Sequence, residues 1–433
     1  MRDCIQQIFT FNKGFDRLSL QLKLKAMAES PFSFFRATFH LFAADLKSGP
    51  FQKLAVAPAS GRMVADLHTE NFGGYRTASG DLVYDINDFD DTAVSLYEYD
   101  LRRLLTSILL GGAGAGLRAG FAVNACETAV QTYLKSLESF KASRDRADFA
   151  NLQDPRIVRK LLKVAEERSH EQFIRKMVEP RPKGGHQFVS GTPGLAPITG
   201  EVRQEAGKRF KEFLKNSTLP DGAERKDFIL EDVVFRFAGK GSLGKNRFAL
   251  LVRQGKTDAD LHLRILEWKD STNSPMASGD ASHRKQSKDR NKEVCDATVA
   301  FQLHPRRFLG YVSVLGQPMQ AREIGANDCR FDHSQYADPE KLEKAAEVFG
   351  GITARAHLLS SLGEVGPRKM LKESGLTSDR FVARAVSFAV SYANRVHEDY
   401  FEFRVRSAEL AKAWKVRLQP DSEVRLEVWP PVE

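Results

Sequence analysis

Two short acidic segments in the first hundred residues have the makings of metal-assisted phosphoryl chemistry. The first is Val64-Ala65-Asp66-Leu67-His68-Thr69-Glu70-Asn71, in which an Asp precedes an Asn by five positions. An Asp so placed can orient or receive the proton of an attacking hydroxyl, while the Asn holds a magnesium ion beside it. The second is Val83-Tyr84-Asp85-Ile86-Asn87-Asp88-Phe89-Asp90-Asp91, where apolar residues lead into a carboxylate cluster. Carboxylates this close raise one another's pKa unless a cation neutralises them. Magnesium takes hard oxygen ligands and bridges carboxylate to phosphate. Asp66 and Asn71 are therefore candidate catalytic residues, and Asn71, Asp85, Asp88 and Asp90 candidate metal ligands.

A second pair of signals comes much later. Gly239-Lys240-Gly241-Ser242-Leu243-Gly244 is a glycine-rich string, and the β-like run Arg247–Val252 follows it. A dinucleotide fold needs a helix directly after such glycines. A glycine hairpin between strands instead suits a flexible cover over nucleotide phosphates. Gly239, Gly241, Ser242 and Gly244 are thus expected to touch cofactor. Lys269 ends the next strand, Ile265-Leu266-Glu267-Trp268-Lys269, and is placed to pair with phosphates if a helix acid steadies it. Glu293 and Asp296, one helical turn apart on the following helix, are the candidate acids.

The elements that must carry these residues read as follows. Residues 16–46 are helical, with Phe32, Phe34, Phe35, Phe39 and Phe42 on an apolar face and Pro31 at a helix start. Leu54–Ala57, Met63–Ala65 and Leu82–Ile86 read as strands, the last entered through the turn Ala78-Ser79-Gly80-Asp81. Tyr97–Leu110 is a helix with Leu101, Leu104, Leu105 and Ile108 on one face and Arg102 and Arg103 on the other. Gly and Pro between Glu179 and Gly200 mark a linker. Val233–Phe237, Arg247–Val252 and Leu261–Trp268 are strands, Ser271–Asn291 a polar loop, and helices dominate after Lys341. The expected division is a helical catalytic lobe (1–178), a linker (179–228), a β-rich nucleotide lobe (229–325) and C-terminal helices packing on the catalytic lobe (326–433).

Composition sets the outer limits. The 433 residues exceed one compact core, and 42% hydrophobic with 28% charged residues is an ordinary globular balance. The net charge of +9 suits phosphorylated ligands, but no basic tail interleaved with aromatics argues for nucleic acid. Cys4, Cys126, Cys295 and Cys329 are scattered and read as free thiols. With no signal-peptide core and no apolar run long enough to span a bilayer, the expectation is a cytoplasmic protein.

Taken together, these parts form an ATP- and magnesium-binding kinase-like site whose catalytic loop precedes its glycine loop. The order implies an α+β, protein-kinase-like two-lobe fold that is circularly permuted. The chain also resembles the uncharacterised bacterial family DUF2252. The likeness runs through Ser30-Pro31-Phe32-Ser33-Phe34-Phe35-Arg36, Asp66-Leu67-His68-Thr69-Glu70-Asn71-Phe72-Gly73, the Tyr84–Asp91 cluster, the glycine string, Trp268-Lys269-Asp270, Arg322-Glu323-Ile324-Gly325 and Arg330. The Asp-Leu-His segment is similar to the aminoglycoside-phosphotransferase branch of kinase-like enzymes. That branch places an Asp-Leu pair on the helix after its magnesium Asp, as Asp100-Leu101 does here. Where the family carries Gly, this chain has Ala37 and Ala65; Ala65 is tolerated unless the backbone needs a positive φ.

Arg36 and Arg322 are candidate phosphate or carboxylate clamps because Arg binds bidentately. His68 is either a metal ligand with Asp66 or a brace of the loop. The expected reaction is phosphoryl transfer from ATP to the hydroxyl of a small molecule or protein. Three alternatives stay open: nucleotidyl transfer with the same carboxylates, metal-dependent hydrolysis through His68, Asp85, Asp88 and Asp90, and a non-catalytic nucleotide-binding regulator.

Overall fold

The computed structural model describes residues 3–48, 50–52, 59–139, 155–237, 244–255, 262–277, 289–361 and 366–416. Four helices open the chain: α1 (Cys4–Phe11), α2 (Arg17–Ala28), α3 (Pro31–Ala37) and α4 (Phe39–Lys47). Local chemistry sets their starts. Asp3, Asp16 and Ser30 accept backbone N–H groups at the first turns of α1, α2 and α3, and Pro31 needs no such acceptor. Strand β1 (Ser60–Met63) leads into the Asp66 loop, β2 (Phe72–Arg76) and β3 (Leu82–Ile86) form a hairpin, and β4 (Ala93–Leu96) returns antiparallel to β1. Helices α5 (Tyr97–Gly114), α6 (Ala119–Ser139), α7 (Arg156–Glu166) and α8 (His170–Arg175) follow.

The chain then builds its sheets. Strands β5 (Val178–Pro180) and β6 (His186–Phe188) pair, and β7 (Leu195–Ala196) precedes α9 (Gly200–Lys215). Next come β8 (Phe228–Arg236), β9 (Arg247–Gln254), β10 (His262–Asp270), α10 (Arg290–Phe301), β11 (Gly310–Val314) and β12 (Gln317–Ile324). These make an antiparallel sheet in the order β11-β12-β10-β9-β8-β7. Helices α11 (Pro339–Ser360), α12 (Gly366–Ser374) and α13 (Ser378–Trp414) close the chain. They share one large apolar core with α1 to α6, so the C-terminal helices pack on the N-terminal ones.

The two faces of the sheet differ. Leu266 and Trp268 of β10 join Phe210 and Phe213 of α9 in one core, while Ile265 joins Leu251 and Val234 in another. Strand side chains alternate, so Glu267 and Lys269 continue the face of Ile265. That face runs from apolar to charged along β10 and meets the helical part of the molecule at its charged end.

The mixed α+β character stands, with two differences from the sequence expectation. Residues 179–228 are not a bare linker: they hold β5, β6, β7 and α9, and α9 covers one face of the sheet. Its apolar residues Phe210, Phe213 and Leu214 are spaced for one helix face, but the neighbouring Gly and Pro hid them. Arg102 and Arg103 are not on a solvent face but almost wholly buried in α5. Leu54–Ala57 lies outside the described residues. Cys4, Cys126, Cys295 and Cys329 are free thiols, and no described helix is long and apolar enough to cross a membrane.

Candidate active site

A cavity of about 370 Å³ opens where the charged face of the sheet meets the Asp66 loop, the turn after β3 and helices α1 to α4. Asp66, Asn71, Asp88, Asp90 and Lys269 all line it. Nine Lys and Arg side chains face six Asp and Glu around its walls, an excess of positive charge suited to a polyanion.

The Asp66 loop is held by backbone contacts. Ala65 has φ +77, a left-handed conformation that an alanine adopts only under constraint. The constraint is Asp100 of α5, whose two carboxylate oxygens accept the N–H groups of Val64 and Ala65 at 2.7 Å each. Asp100 in turn lies 3.0 Å from His357 Nε2, and His357 Nδ1 lies 2.8 Å from the Tyr133 hydroxyl. Asn71 donates from Nδ2 to the Asp66 carbonyl at 2.6 Å, which closes the loop.

The Asp66 carboxylate pairs with Arg103, Nε at 2.8 Å and Nη2 at 2.7 Å. Burial pushes Asp66 up to about 7, with Asp91 adding to the rise and Arg103 and Arg36 opposing it. Arg103 is itself wedged over the Phe35 ring at 3.4 Å. Asp66 is therefore a carboxyl able to gain or lose a proton near neutrality.

The acidic cluster divides into three different environments. Asp85 is buried, bonds the N–H of Ile86 and pairs with Arg355 of α11 at 2.7 Å. It is not on the cavity wall. Its partner lies far along the chain, so the sequence could not separate it from its neighbours. Asp90 is saturated: Lys269 and the Gln320 amide bond it, and Lys245 lies at 3.5 Å. Burial alone would raise its pKa, but Lys269 and Lys245 hold the carboxyl well below the ordinary range. Asp88 is 39% exposed at the side chain, with Lys269 Nζ at 3.9 Å. Of the three, Asp88 keeps oxygens free for a cation entering with ligand. Among the described residues the cleft holds no three acid, His or Cys ligand atoms within 4.8 Å of one another; that spacing occurs only at Cys4, Asp399 and Glu402, elsewhere. Magnesium does not require such a trio, because waters and phosphate oxygens fill most of its sphere.

Lys269 reaches the cavity, but neither expected acid meets it. Glu293 pairs with Arg290 and Asp296 with Lys292, each acid about half exposed. Asp90 takes that place instead. One residue pair before Lys269, Glu267 is caged by Arg236, Arg247 at 2.8 Å and Arg322 at 3.1 Å. Burial works against its charge, but the three guanidinium groups hold its pKa well below the carboxylate range. Arg322 also donates to the Asn87 carbonyl at 3.2 Å, which ties β12 to the acidic turn.

The other candidates are bracing groups. Arg36 pairs with Glu70 at 2.6 Å, and Arg330 shares that acid at 2.9 Å. His68 has Arg36 Nε 3.2 Å from Nε2 and the Glu70 N–H 3.2 Å from Nδ1. Burial and then Arg36 and Arg103 drive its pKa well down, so the ring is neutral. Each nitrogen faces a protein N–H, of which a neutral ring can accept only one, and neither is turned to a metal. Gly244 closes the glycine turn at φ +100 with the Phe15 ring directly against its Cα; Gly239, Gly241 and Ser242 lie outside the described residues.

Sequence reasoning missed Lys23, Lys245, Arg103 and Glu267. A signal existed for two of them. Arg103 sits between Leu101 and the pair Leu104–Leu105, and Lys23 lies on the same helical stripe as Leu20, Leu24 and Met27. A charge inside an apolar stripe marks either a buried pair or a cavity.

The described residues thus define an α+β protein with a charged cleft between an antiparallel sheet and a helical part, where carboxylates and cations from distant segments meet. The chain belongs to the family of "Uncharacterized protein conserved in bacteria (DUF2252)", whose model matches residues 16–406. No curated protein and no solved structure matches it.

Proposed function

We propose that the protein is an ATP- and magnesium-dependent phosphotransferase of kinase-like, circularly permuted fold, acting on a hydroxyl of a small molecule or protein. One observation carries this reading. Lys269 of the sheet stands 3.9 Å from Asp88 and lines one cavity with Asp66 and Asn71, although some 180 residues separate Lys269 from Asp88. The order β8-β9-β10-β12-β11, with α10 between β10 and β11, adds support. It sets the stretch of sequence with the glycine string between the first two strands, the Lys on the third and a helix after it, the order a kinase nucleotide lobe requires. Phe89, next to Asp88, stacks on Phe301 of α10 with ring centroids 5.2 Å apart, which couples that helix to the acidic turn.

In this reading Asn71 and Asp88 would hold magnesium, which would supply charge neutralisation at the transferred phosphoryl group. Lys269, steadied by Asp90, positions the phosphates. Asp66 accepts the proton of the acceptor hydroxyl, for which a pKa of about 7 is well matched. Metal-dependent hydrolysis has less support, since Asp85 is off the cavity wall and both His68 nitrogens are engaged.

Nucleotidyl transfer is a second reading favoured by a specific observation. The wall beside Lys269 carries Arg236, Arg247, Arg306 and Arg322, where a purine lying in the usual kinase direction wants a flat apolar surface. Incubation with magnesium and ATP labelled at the α or the γ phosphate separates the two. Transfer of the γ label supports phosphotransfer and transfer of the α label nucleotidyl transfer. If ATP gives no thermal stabilisation with or without magnesium and neither label moves, both readings fail.

A further inference from the structure

Helix α2 carries a charge in the wrong place for a surface helix. Leu20, Leu24 and Met27 form its buried stripe, and Lys23 stands within it. The Lys23 side chain is 1% exposed, yet it lines the cavity. Phe11 and Phe15 each lie 5.6 Å from its ammonium. Among the described residues no carboxylate, carbonyl or hydroxyl takes a hydrogen bond from it. The charged groups that act on it are Lys245, which repels, and Asp91, which attracts. Burial first, then Lys245, brings its pKa down to about 7. An ammonium held in a buried stripe with no hydrogen-bonded or ion-paired acceptor, only the field of Asp91, is costly, and a bound anion would offset the cost.

The surroundings narrow the anion. Lys245 lines the same cavity and already leans on Asp90 at 3.5 Å. Gly244 has the Phe15 ring where a Cβ would project, so the α1–α2 connection packs against the lead into β9. Lys245 stands beside Asp90, and both ammonium groups feel Asp91; two ammonium groups on one cavity wall match the charge density of a phosphate better than that of a carboxylate. A purely structural lysine would gain nothing from this position, since methionine would fill the stripe without the desolvation.

We propose that Lys23 and Lys245 form a phosphate clamp, in which Lys23, supplied by a helix outside the sheet, binds the terminal phosphate of the nucleotide or a phosphate on the acceptor. The nucleotide source rests on the function proposed above; the clamp itself does not.

The test compares the full-length protein with Lys23→Met and uses Mg·ATP, Mg·ADP and inorganic phosphate as probes in calorimetry and thermal melts. If the terminal phosphate is the ligand, Lys23→Met weakens ATP about 10- to 100-fold, the loss of one charge-assisted hydrogen bond, and leaves ADP nearly unchanged. If the acceptor supplies the phosphate, ATP and ADP bind both proteins alike and only inorganic phosphate is lost. Either way the unliganded variant melts no lower than wild type. A variant that binds all three probes as wild type does overturns the clamp and leaves the nucleotide reading intact. A wild-type protein that binds none of them overturns both. Should Lys23→Met fail to fold, acetylation of wild-type Lys23 at pH 8, mapped by peptide mass spectrometry, decides: slowing by any probe supports the clamp, and an unchanged rate overturns it.

Discussion

Asp66, partly buried on the cavity wall, and Glu267, wholly buried in the sheet behind it, are both carboxylates paired with arginine, and they end in opposite states. Glu267 sits on the sheet among three guanidinium groups, which outweigh burial and fix its charge. Asp66 sits on the helical side with one arginine in contact, and nearby Asp91 adds to the cost of its charge, so its pKa rises to about 7. The number of facing cations, more than burial, decides which acid can move a proton. The sheet side is a fixed electrostatic wall, and the helical side holds a group able to change state.

The largest effect expected from this contrast is on turnover. Asp66→Asn removes the proton acceptor at little steric cost. It should lower transfer about 10²–10⁴-fold while ATP affinity stays near wild type. The wild-type rate should climb as pH rises through about 7, and that ascending limb should vanish in the variant. A variant that keeps the limb would assign it to another group.

The second effect is on stability, and here the roles reverse. Glu267→Gln leaves buried Arg247 and the partly exposed Arg236 and Arg322 without their shared counter-charge and should cost up to about 3–5 kcal/mol in urea unfolding. Asp66→Asn strips one buried arginine, Arg103, of its counter-charge and should cost less than that, since the asparagine carbonyl still accepts from the guanidinium. The pH dependences also have opposite signs. The folded-state pKa of Asp66 lies above its ordinary value of 3.8, so folded protein retains a proton that unfolded chain has lost. Its contribution therefore declines as pH rises from about 4 to about 7 and is flat above. Glu267 has a depressed folded pKa, so its contribution is present above the unfolded value of 4.5 and is lost as pH falls below it. Melting curves of wild type against each variant, taken from acid pH well below 4.5 up to pH 8, read these slopes as differences. Parallel profiles would break the contrast.

A third effect separates Asp88 from Asp90, two acids of the same turn. Asp90 is bound by Lys269 and Gln320, while Asp88 keeps a free face on the cavity. Asp88→Ala should leave the unliganded melt unchanged and remove the magnesium-dependent part of ATP stabilisation, about 2.7 kcal/mol when ATP is at 100 times its Kd. If that part survives, Asp88 is not the ligand that meets the metal.

The contrast also explains what the sequence could reveal. Asp66, Asn71 and Asp88 were legible because a short loop and a hairpin keep their spacing meaningful within a few residues. Lys269 was legible because turn chemistry and strand patterning count strands reliably. Glu267 was not, since its three arginines come from β8, β9 and β12 and meet only through sheet order. Arg103 and Lys23 were hidden by the usual rule that a charge on a helix faces water. In both cases the apolar neighbours on either side contradicted that rule. The acid expected for Lys269 was misplaced to α10 for a related reason. Periodicity gives the helix but not which face it turns, and Glu293 and Asp296 turn outward.

The smallest effect lies in the backbone that presents Asp66. Ala65 occupies φ +77, and its family resemblance implies glycine there. An alanine held in the left-handed region gives up about 1–2 kcal/mol against a relaxed conformation. Asp100 enforces the turn through two N–H groups at 2.7 Å, so the strain is not relieved by local rearrangement. Ala65→Gly would release it, but glycine loses about 0.5–1 kcal/mol more conformational entropy on folding. Ala65 is also fully buried, and its methyl group forfeits packing when removed. The balance is a gain of about 0.5 kcal/mol, visible as a small rise in the urea midpoint with an unchanged slope. Turnover should hold, because the Asp100 clamp and not the methyl group sets the position of Asp66. Ala65→Val should move the midpoint the other way and further, since a β-branched residue at this φ is strained more severely. A glycine variant that is destabilised would mean that packing of the methyl group, and not backbone strain, governs the turn.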